Sequence, residues 1–290
     1  MDADLRAALE RALGTTVVRS APIRGGDVAI AYAVDLADDR TVFAKTHPAA
    51  PSGFFTTEAT GLRWLREACA ADGLISVPAV LAVADDRPNH LVLEWIAEGR
   101  PRAASESALG AGLARMHAVG APCFGREDRR TTGSRGLPNE PCTTWSESYA
   151  TNRLLPLARL ARDSRALPES TIDDLVRLAD GLDRFDVSGE PPARLHGDLW
   201  GGNRLVDVEG RNWLVDPAAH GGHREFDLAM MRLFGGFAPA CFAAYEEVAP
   251  LTSGWEERVP LHQVAPLVVH AIKFGGGYVS ASVEAIGRFT

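Results

Sequence analysis

Two short segments carry most of the information about the fold: residues 196–203 read HGDLWGGN, and residues 213–217 read WLVDP. Asp198 and Asn203 are five positions apart, and Asp216 ends a predicted strand thirteen positions after Asn203. The glycines and the proline beside these polar residues are also typical of ordinary turns. Because three spaced features coincide, we favour a chemical role over a set of unrelated turns.

Phosphoryl transfer from ATP needs the residue types found at this spacing. A carboxylate accepts the proton of the attacking hydroxyl, and oxygen ligands hold Mg²⁺ against the phosphates. The catalytic loop of kinases supplies an aspartate, an asparagine five residues later, and a further aspartate at the end of a strand. We therefore predict that Asp198 is the catalytic base and that Asn203 and Asp216 are the metal ligands.

A lysine upstream fits the same chemistry. Of the 30 basic residues, only Lys45 and Lys273 are lysine, and Lys45 lies at the end of the predicted strand 41–46. A lysine on such a strand can reach the α- and β-phosphates of ATP. Glu58, early in the next predicted helix, is expected to pair with it, although a solvated helix carboxylate is the alternative.

Two further segments are expected to contact the nucleotide. Gly25 and Gly26 lie between two predicted strands, where glycine permits close backbone approach to phosphate. The segment is not G-x-G-x-x-G, and a hairpin turn without a phosphate role explains it equally well. Residues Glu94, Trp95 and Ile96 are predicted to form a hinge whose backbone binds adenine, although the same residues also read as a buried strand.

The pattern of elements predicts an α+β fold with two lobes. Strands are predicted at 17–22, 28–36, 41–46, 78–84 and 91–96, with a helix at 56–71, and shorter strands at 204–208 and 212–215. Helices are predicted at 105–119, 145–163 and 171–185, the last opening at Thr171, and from residue 224 onward. We expect a sheet-rich nucleotide-binding lobe over 1–96, a hinge near 94–99 and a helical lobe over 97–290.

The composition excludes several classes of protein. The 290 residues are 46% hydrophobic and 23% charged, which is ordinary for a globular protein, and the net charge of −8 argues against a nucleic-acid partner. The four cysteines are far apart, as expected in a reducing compartment. No apolar run is long enough for a membrane span, and the N-terminal residues do not resemble a signal peptide. We expect a cytoplasmic protein without a membrane partner, and the sequence indicates no oligomeric state.

The sequence resembles the fructosamine kinase (ketosamine 3-kinase) family, which is related to the aminoglycoside and choline phosphotransferases within the protein-kinase-like fold. The resemblance runs from the Gly25-Gly26 loop to the C-terminus. Its motifs, besides the 196–203 segment with its Leu199-Trp200 pair, are 216–218 (DPA), 222–225 (GHRE), 227–230 (DLAM), 233–237 (LFGGF), Phe242-x-x-Tyr245, Gly254-Trp255-x-x-Arg258, His270 and 274–278 (FGGGY).

The resemblance implies an enzyme that uses ATP and Mg²⁺ to phosphorylate the sugar 3-hydroxyl of a ketoamine, free or on a protein. The 3-phosphate is unstable, so the activity would serve deglycation. By the same resemblance Asp198 is the base, Trp200 packs against the sugar, and His270 lines the pocket. The chain departs from the family in the loop after Gly26, where Asp27 adds a negative charge.

Two other functions are compatible with these motifs. One is the same chemistry on an aminoglycoside, choline or another amino alcohol, against which the Leu199-Trp200 pair and the Gly254-Trp255-x-x-Arg258 block argue. The other is an inactive kinase-like protein that only binds nucleotide, against which the complete set of polar residues argues. His220 and His223 resemble a metal-binding pair, but the sequence offers no third ligand at a suitable spacing.

Overall fold

A five-stranded antiparallel sheet forms the first part of the molecule. The computed structural model describes residues 1–23, 29–69, 73–128, 131–132, 136–185 and 189–290. Before residue 96 it contains β1 (Val17–Ile23), β2 (Ile30–Leu36), β3 (Thr41–Thr46), β4 (Ile75–Ser76), β5 (Val80–Ala84) and β6 (His90–Glu94). All but β4 pair antiparallel in the order β1-β2-β3-β6-β5.

Two helices pack against opposite faces of this sheet, α1 (Ala3–Leu13) and α2 (Phe54–Ala68). Val42 of β3 belongs to the apolar core that contains α1, whereas Phe43 packs against the core that contains α2. Successive side chains of a strand point to opposite faces. Lys45 therefore lies on the same face as Phe43, directed toward α2.

The second part of the molecule is mostly helical. Its helices are α3 (Ala103–Ala118), α4 (Trp145–Tyr149), α5 (Leu155–Asp163), α6 (Glu169–Asp180), α7 (Glu225–Phe234), α8 (Pro239–Val248), α9 (Trp255–Phe274) and α10 (Gly277–Gly287). A π-helical turn, Ala150–Leu154, joins α4 to α5, so the helix predicted over 145–163 is present. Within the described ranges, no helix is long and apolar enough to cross a membrane.

Short strands position the segments 196–203 and 213–217. They are β7 (Thr131–Thr132), β8 (Leu137–Pro138), β9 (Ala193–Leu195), β10 (Arg204–Val206), β11 (Asn212–Leu214) and β12 (His220–Gly222). β9 runs directly into residues 196–203, and β12 follows Asp216 and pairs antiparallel with β9. β10 and β11 form the predicted hairpin, and β4 adds to β11 in parallel.

Some predicted boundaries were wrong. The helix predicted from Thr171 begins at Glu169, because Pro168 already occupies the N-cap and its backbone carbonyl accepts a hydrogen bond from the amide of Thr171. β4, β9 and β12 were missed because two or three residues are too few to show a period. The division into lobes at residue 96 stays a prediction.

Candidate active site

One buried aspartate, Asp227, holds the loop of residues 196–203 in place. Asp227 accepts hydrogen bonds from the backbone amides of His196 (2.7 Å) and Gly197 (2.8 Å). Gly197 has a φ of +79°, and a Cβ there would lie 2.2 Å from the carbonyl oxygen of Ala218. A glycine is therefore required at this point, and the sharp turn presents the next residue, Asp198, to the cleft.

The histidine of the loop, His196, braces it. The Nε2 atom of His196 lies 2.9 Å from the carbonyl oxygen of Val215, the residue before Asp216. This contact ties the loop to the strand end that carries the second acid. His196 is buried, and burial lowers its pKa, which keeps the ring neutral at pH 7.

The surroundings of Asp198 disfavour the ionised form of its carboxylate. Burial raises its pKa to about 6, with further contributions from Asp216 and Asp227, whereas a hydrogen bond from Asn203 and the charge of Lys273 oppose the rise. The Nδ2 atom of Asn203 donates to the Asp198 carbonyl (2.8 Å) and to its Oδ2 (3.1 Å). A carboxylate with a pKa close to the operating pH is suited to general-base work.

The structure brings Lys45 into contact with Glu58 and with Asp216, which lies 171 residues further along the chain. The Lys45 ammonium lies 2.6 Å from Oε1 of Glu58 and 2.7 Å from Oδ1 of Asp216, and its side chain is only 8% exposed. Burial raises the pKa of Glu58 to about 7, although Lys45 opposes this. Burial would also raise the pKa of Asp216, but the charge and hydrogen bond of Lys45 bring it below its ordinary value.

The backbone of Asp216 is strained. Its φ is +53°, in the left-handed region that residues other than glycine rarely adopt. Such conformations cost about 1–3 kcal/mol and cluster at functional sites. The Asp216 carboxylate is half exposed and meets the Lys45 ammonium at 2.7 Å.

The donor set around Asp216 fits a magnesium ion. Asp198, Asn203 and Asp216 offer only oxygen ligands once the amide nitrogen of Asn203 is committed to Asp198. Mg²⁺ binds through one or two protein carboxylates together with phosphate and water oxygens. Asn203 and Asp216 therefore remain suitable as the predicted ligands.

The residues that follow the predicted hinge contact the β10–β11 hairpin: the Gly99 amide donates to the Val206 carbonyl at 2.7 Å, and the Val208 amide donates to the Ala97 carbonyl at 3.1 Å. Glu94 closes β6, with its carboxylate accepting from the Ala79 amide at 3.0 Å. Trp95 is partly exposed and Ile96 is buried. Adenine binding by the backbone of these residues stays a prediction, and the predicted phosphate loop at Gly25 and Gly26 lies outside the described residues.

The two residues predicted to contact the acceptor lie on the exposed side of the loop. The Trp200 indole is 43% exposed and covers Gly202, so it is not a core side chain. His270 is partly buried on α9, where its Nδ1 lies 2.8 Å from the carbonyl oxygen of Pro266. Its ring lies 4.6 Å from that of Phe234, and the Gly235 carbonyl accepts the Gly201 amide, which connects His270 to the loop.

A cluster near this site was not foreseen from spacing. His223, Glu225 and His262 each place one ligand-type atom within 4.8 Å of the others, so Glu225 of α7 and His262 of α9 supply the partners that His223 lacked in sequence; His220 is not one of the three. Arg258 donates to both carboxylate oxygens of Glu225, at 2.5 and 2.9 Å. The carboxylate is thus neutralised by an arginine, which favours a structural cluster.

Sequence reasoning also missed how α2 is fixed. The Trp64 ring of α2 lies between two guanidinium groups, with Arg126 at 4.1 Å and Arg194 at 4.5 Å from the ring centre. Arg194 also donates to the Trp64 carbonyl at 2.7 Å. On the same helix Gly61 packs against Ala219, where an added Cβ would be 3.2 Å away. We call the Trp64, Arg126 and Arg194 contacts the Trp64 clamp; it holds the helix that carries Glu58 against the second part of the molecule.

The overall fold is shared with a solved phosphotransferase. A spectinomycin phosphotransferase, solved with ADP and spectinomycin, superposes with a TM-score of 0.61 over 98% of this chain and 92% of its own, at 15% identity. That likeness concerns the fold.

Closer relatives define the family. A candidate fructosamine-3-kinase from Thermobifida fusca superposes with a TM-score of 0.88 at 38% identity, over 98% of this chain and 97% of its own. A probable ketoamine kinase of Enterococcus faecium is 33% identical over 273 residues, which are 92% of this chain and 94% of the relative. The sequence model for fructosamine kinase matches residues 1–290, so the chain belongs to the fructosamine kinase family. Membership of a kinase family supports an ATP-dependent phosphotransferase.

The Trp64 clamp leads to a prediction about turnover. Replacing Trp64 with alanine should release α2 and loosen the Glu58–Lys45 contact, because both guanidinium groups lose the ring on which they rest. We expect kcat to fall roughly 10- to 100-fold, since small misplacements of catalytic groups have effects of this size. Initial rates of ATP consumption with a ketoamine measure it. Trp64→Phe keeps a ring and serves as the control; equal rates for Trp64→Ala and the unmodified protein would contradict the prediction.

Proposed function

We propose that the chain is an ATP- and Mg²⁺-dependent kinase that phosphorylates the 3-hydroxyl of ketoamines such as fructosamines and ribulosamines. The observation that carries the proposal is the meeting of Lys45, Glu58 and Asp216 beside the Asp198–Asn203 pair. An inactive relative would have no reason to keep both of these sets of contacts. Family membership supports a ketoamine as the acceptor.

In this proposal Asp198 accepts the proton of the 3-hydroxyl. The hydroxyl oxygen forms a bond to the γ-phosphorus, and the bond from that phosphorus to the bridging oxygen breaks, which releases ADP. Asn203 orients Asp198 through its hydrogen bond to Oδ2. The raised pKa of Asp198 makes it a stronger base than a solvated aspartate, and it still ionises near pH 7.

The phosphates are assigned to the groups around Lys45. The Lys45 ammonium contacts the α- and β-phosphates, and Glu58 fixes its position. Asn203 and Asp216 hold magnesium, which when bound neutralises the charge that develops on the transferred phosphoryl group. Gly25 and Gly26 are assigned to the phosphates, and Glu94, Trp95 and Ile96 to adenine, on the sequence pattern.

The acceptor is assigned to the exposed side of the catalytic loop. The Trp200 indole can cover the C–H face of a sugar, and the imidazole of His270 can hydrogen-bond a hydroxyl. Because a 3-phosphate of a ketoamine is unstable, its breakdown would free the amine, and the enzyme would act in deglycation. Since ATP is the donor, we propose a cytoplasmic location.

A panel of acceptors tests the function. ATP consumption is measured with fructosyl- and ribulosyl-amines, and in parallel with an aminoglycoside and choline. We expect turnover only with the ketoamines. Turnover confined to the aminoglycoside or choline would reject the substrate while leaving the mechanism, and ATP binding without turnover on any acceptor would favour a nucleotide-binding protein.

A further inference from the structure

A group of aromatic rings surrounds His270 at the end of α9. We call it the α9 patch: the rings of Phe234, His270, Phe274 and Tyr278. Within it the His270 ring lies 4.6 Å from Phe234, 5.0 Å from Tyr278 and 5.6 Å from Phe274. Phe274 is 51% exposed, so the patch is open to solvent.

The α9 patch contains a cation. Lys273 precedes Phe274 in the last turn of α9, and its ammonium lies 4.7 Å from the centre of the Phe274 ring. The Phe274 ring in turn lies 5.6 Å from the ring of His270, the residue assigned to the acceptor. The ammonium therefore lies next to the aromatic rings that surround His270. Lys273 is the second of two lysines in a chain whose other 28 basic residues are arginine.

The charges that a ketoamine carries indicate which of its groups the Lys273 ammonium could bind. Every ketoamine carries a secondary ammonium next to the sugar, which Asp198 and Asp216 attract. The Lys273 charge would repel that ammonium. A ketoamine formed from an α-amino acid also carries a carboxylate one carbon from the nitrogen, and a lysine ammonium forms a charge-assisted hydrogen bond with such a group.

We propose that Lys273 is a specificity-determining residue that binds the carboxylate of ketoamines formed from α-amino acids, and that these glycated amino acids are preferred over ketoamines of uncharged side groups. The inference rests on the proposed function, because it assumes a ketoamine in the acceptor site. Trp200 and His270 then hold the sugar, and Lys273 binds the amino-acid end.

Two nearly isosteric substrates test the proposal. Fructosyl-glycine and fructosyl-glycinamide differ only in that the carboxylate is replaced by a neutral amide. With the full chain, ATP and Mg²⁺, we expect kcat/KM to be about tenfold higher for fructosyl-glycine, the size of one charge-assisted hydrogen bond at a partly exposed site. The ratio of the two kcat/KM values should fall to near one in Lys273→Gln and persist in Lys273→Arg.

The possible outcomes distinguish a failure of the proposed Lys273 role from a failure of the proposed kinase activity. Equal kcat/KM values for the two substrates, or a preference that Lys273→Gln leaves unchanged, overturn the role of Lys273 while the ketoamine kinase activity stands. If neither substrate is phosphorylated although ATP binds, the proposed function fails, and the inference fails with it. Circular dichroism of Lys273→Gln confirms that the exposed substitution leaves the fold intact.

Discussion

Asp198→Asn is expected to reduce turnover by ~10²–10⁴-fold, the usual cost of removing a general base. Asparagine has nearly the same shape and can still contact Asn203, but it cannot take up the hydroxyl proton. Lys45, Glu58 and Asp216 keep their contacts with one another, so ATP binding should change little. Steady-state rates with a ketoamine give the first quantity, and isothermal titration with ATP and Mg²⁺ gives the second.

A matched substitution separates the role of Asp198 from the general effect of losing a carboxylate. Asp180 is an exposed aspartate at the end of α6, and Asp180→Asn should leave both turnover and ATP binding unchanged. Turnover of Asp198→Asn within tenfold of the unmodified protein would exclude Asp198 as the base. A large loss of ATP affinity would show instead that this carboxylate helps to hold the metal.

Lys45→Met is expected to remove both turnover and much of the stability. The substitution leaves Glu58 and Asp216 facing each other without the ammonium between them. Breaking a buried ion pair costs about 3–5 kcal/mol, and we expect about 3 kcal/mol because Glu58 can take up a proton. Urea unfolding measures the change. Lys273→Met, at the exposed second lysine, is the control and should change the free energy of unfolding by no more than about 0.5 kcal/mol.

A double variant distinguishes the structural role of Lys45 from its role in catalysis. Lys45→Met combined with Glu58→Gln removes the buried negative charge together with its partner. Stability should therefore recover in large part, whereas turnover should stay low because no cation faces the phosphates. Recovery of turnover in the double variant, or full stability in Lys45→Met alone, would contradict the account.

The candidate site residues stand out in the sequence because phosphoryl-transfer chemistry imposes a spacing on them. Asp198, Asn203 and Asp216 lie on one loop and one strand end, and the rarity of lysine singled out Lys45. The pairing of Lys45 with Glu58 was predicted from their order alone, and the structure brings them to 2.6 Å. In the structure, Asp227 accepts hydrogen bonds from the backbone amides of the catalytic loop.

Other contacts in the structure could not be predicted from the sequence. Trp64 is sandwiched by Arg126 and Arg194, which are 62 and 130 residues away along the chain. Arginine is the ordinary cation of this chain, so neither of them stood out. His262 and Glu225 lie 3.4 Å apart although they are separated by 37 positions in the sequence. Contacts of this kind follow from tertiary packing and leave no periodic trace.

The position of the phosphate in the product distinguishes a ketoamine 3-kinase from a kinase that acts on another hydroxyl. Fructosyl-glycine is incubated with the enzyme, ATP and Mg²⁺, and the product is analysed by phosphorus–proton correlation NMR. We predict that the phosphorus couples to the proton on C3 of the sugar and that free glycine then appears as the phosphate ester breaks down. A phosphate on another hydroxyl, or ATP hydrolysis without any sugar phosphate, would contradict the account.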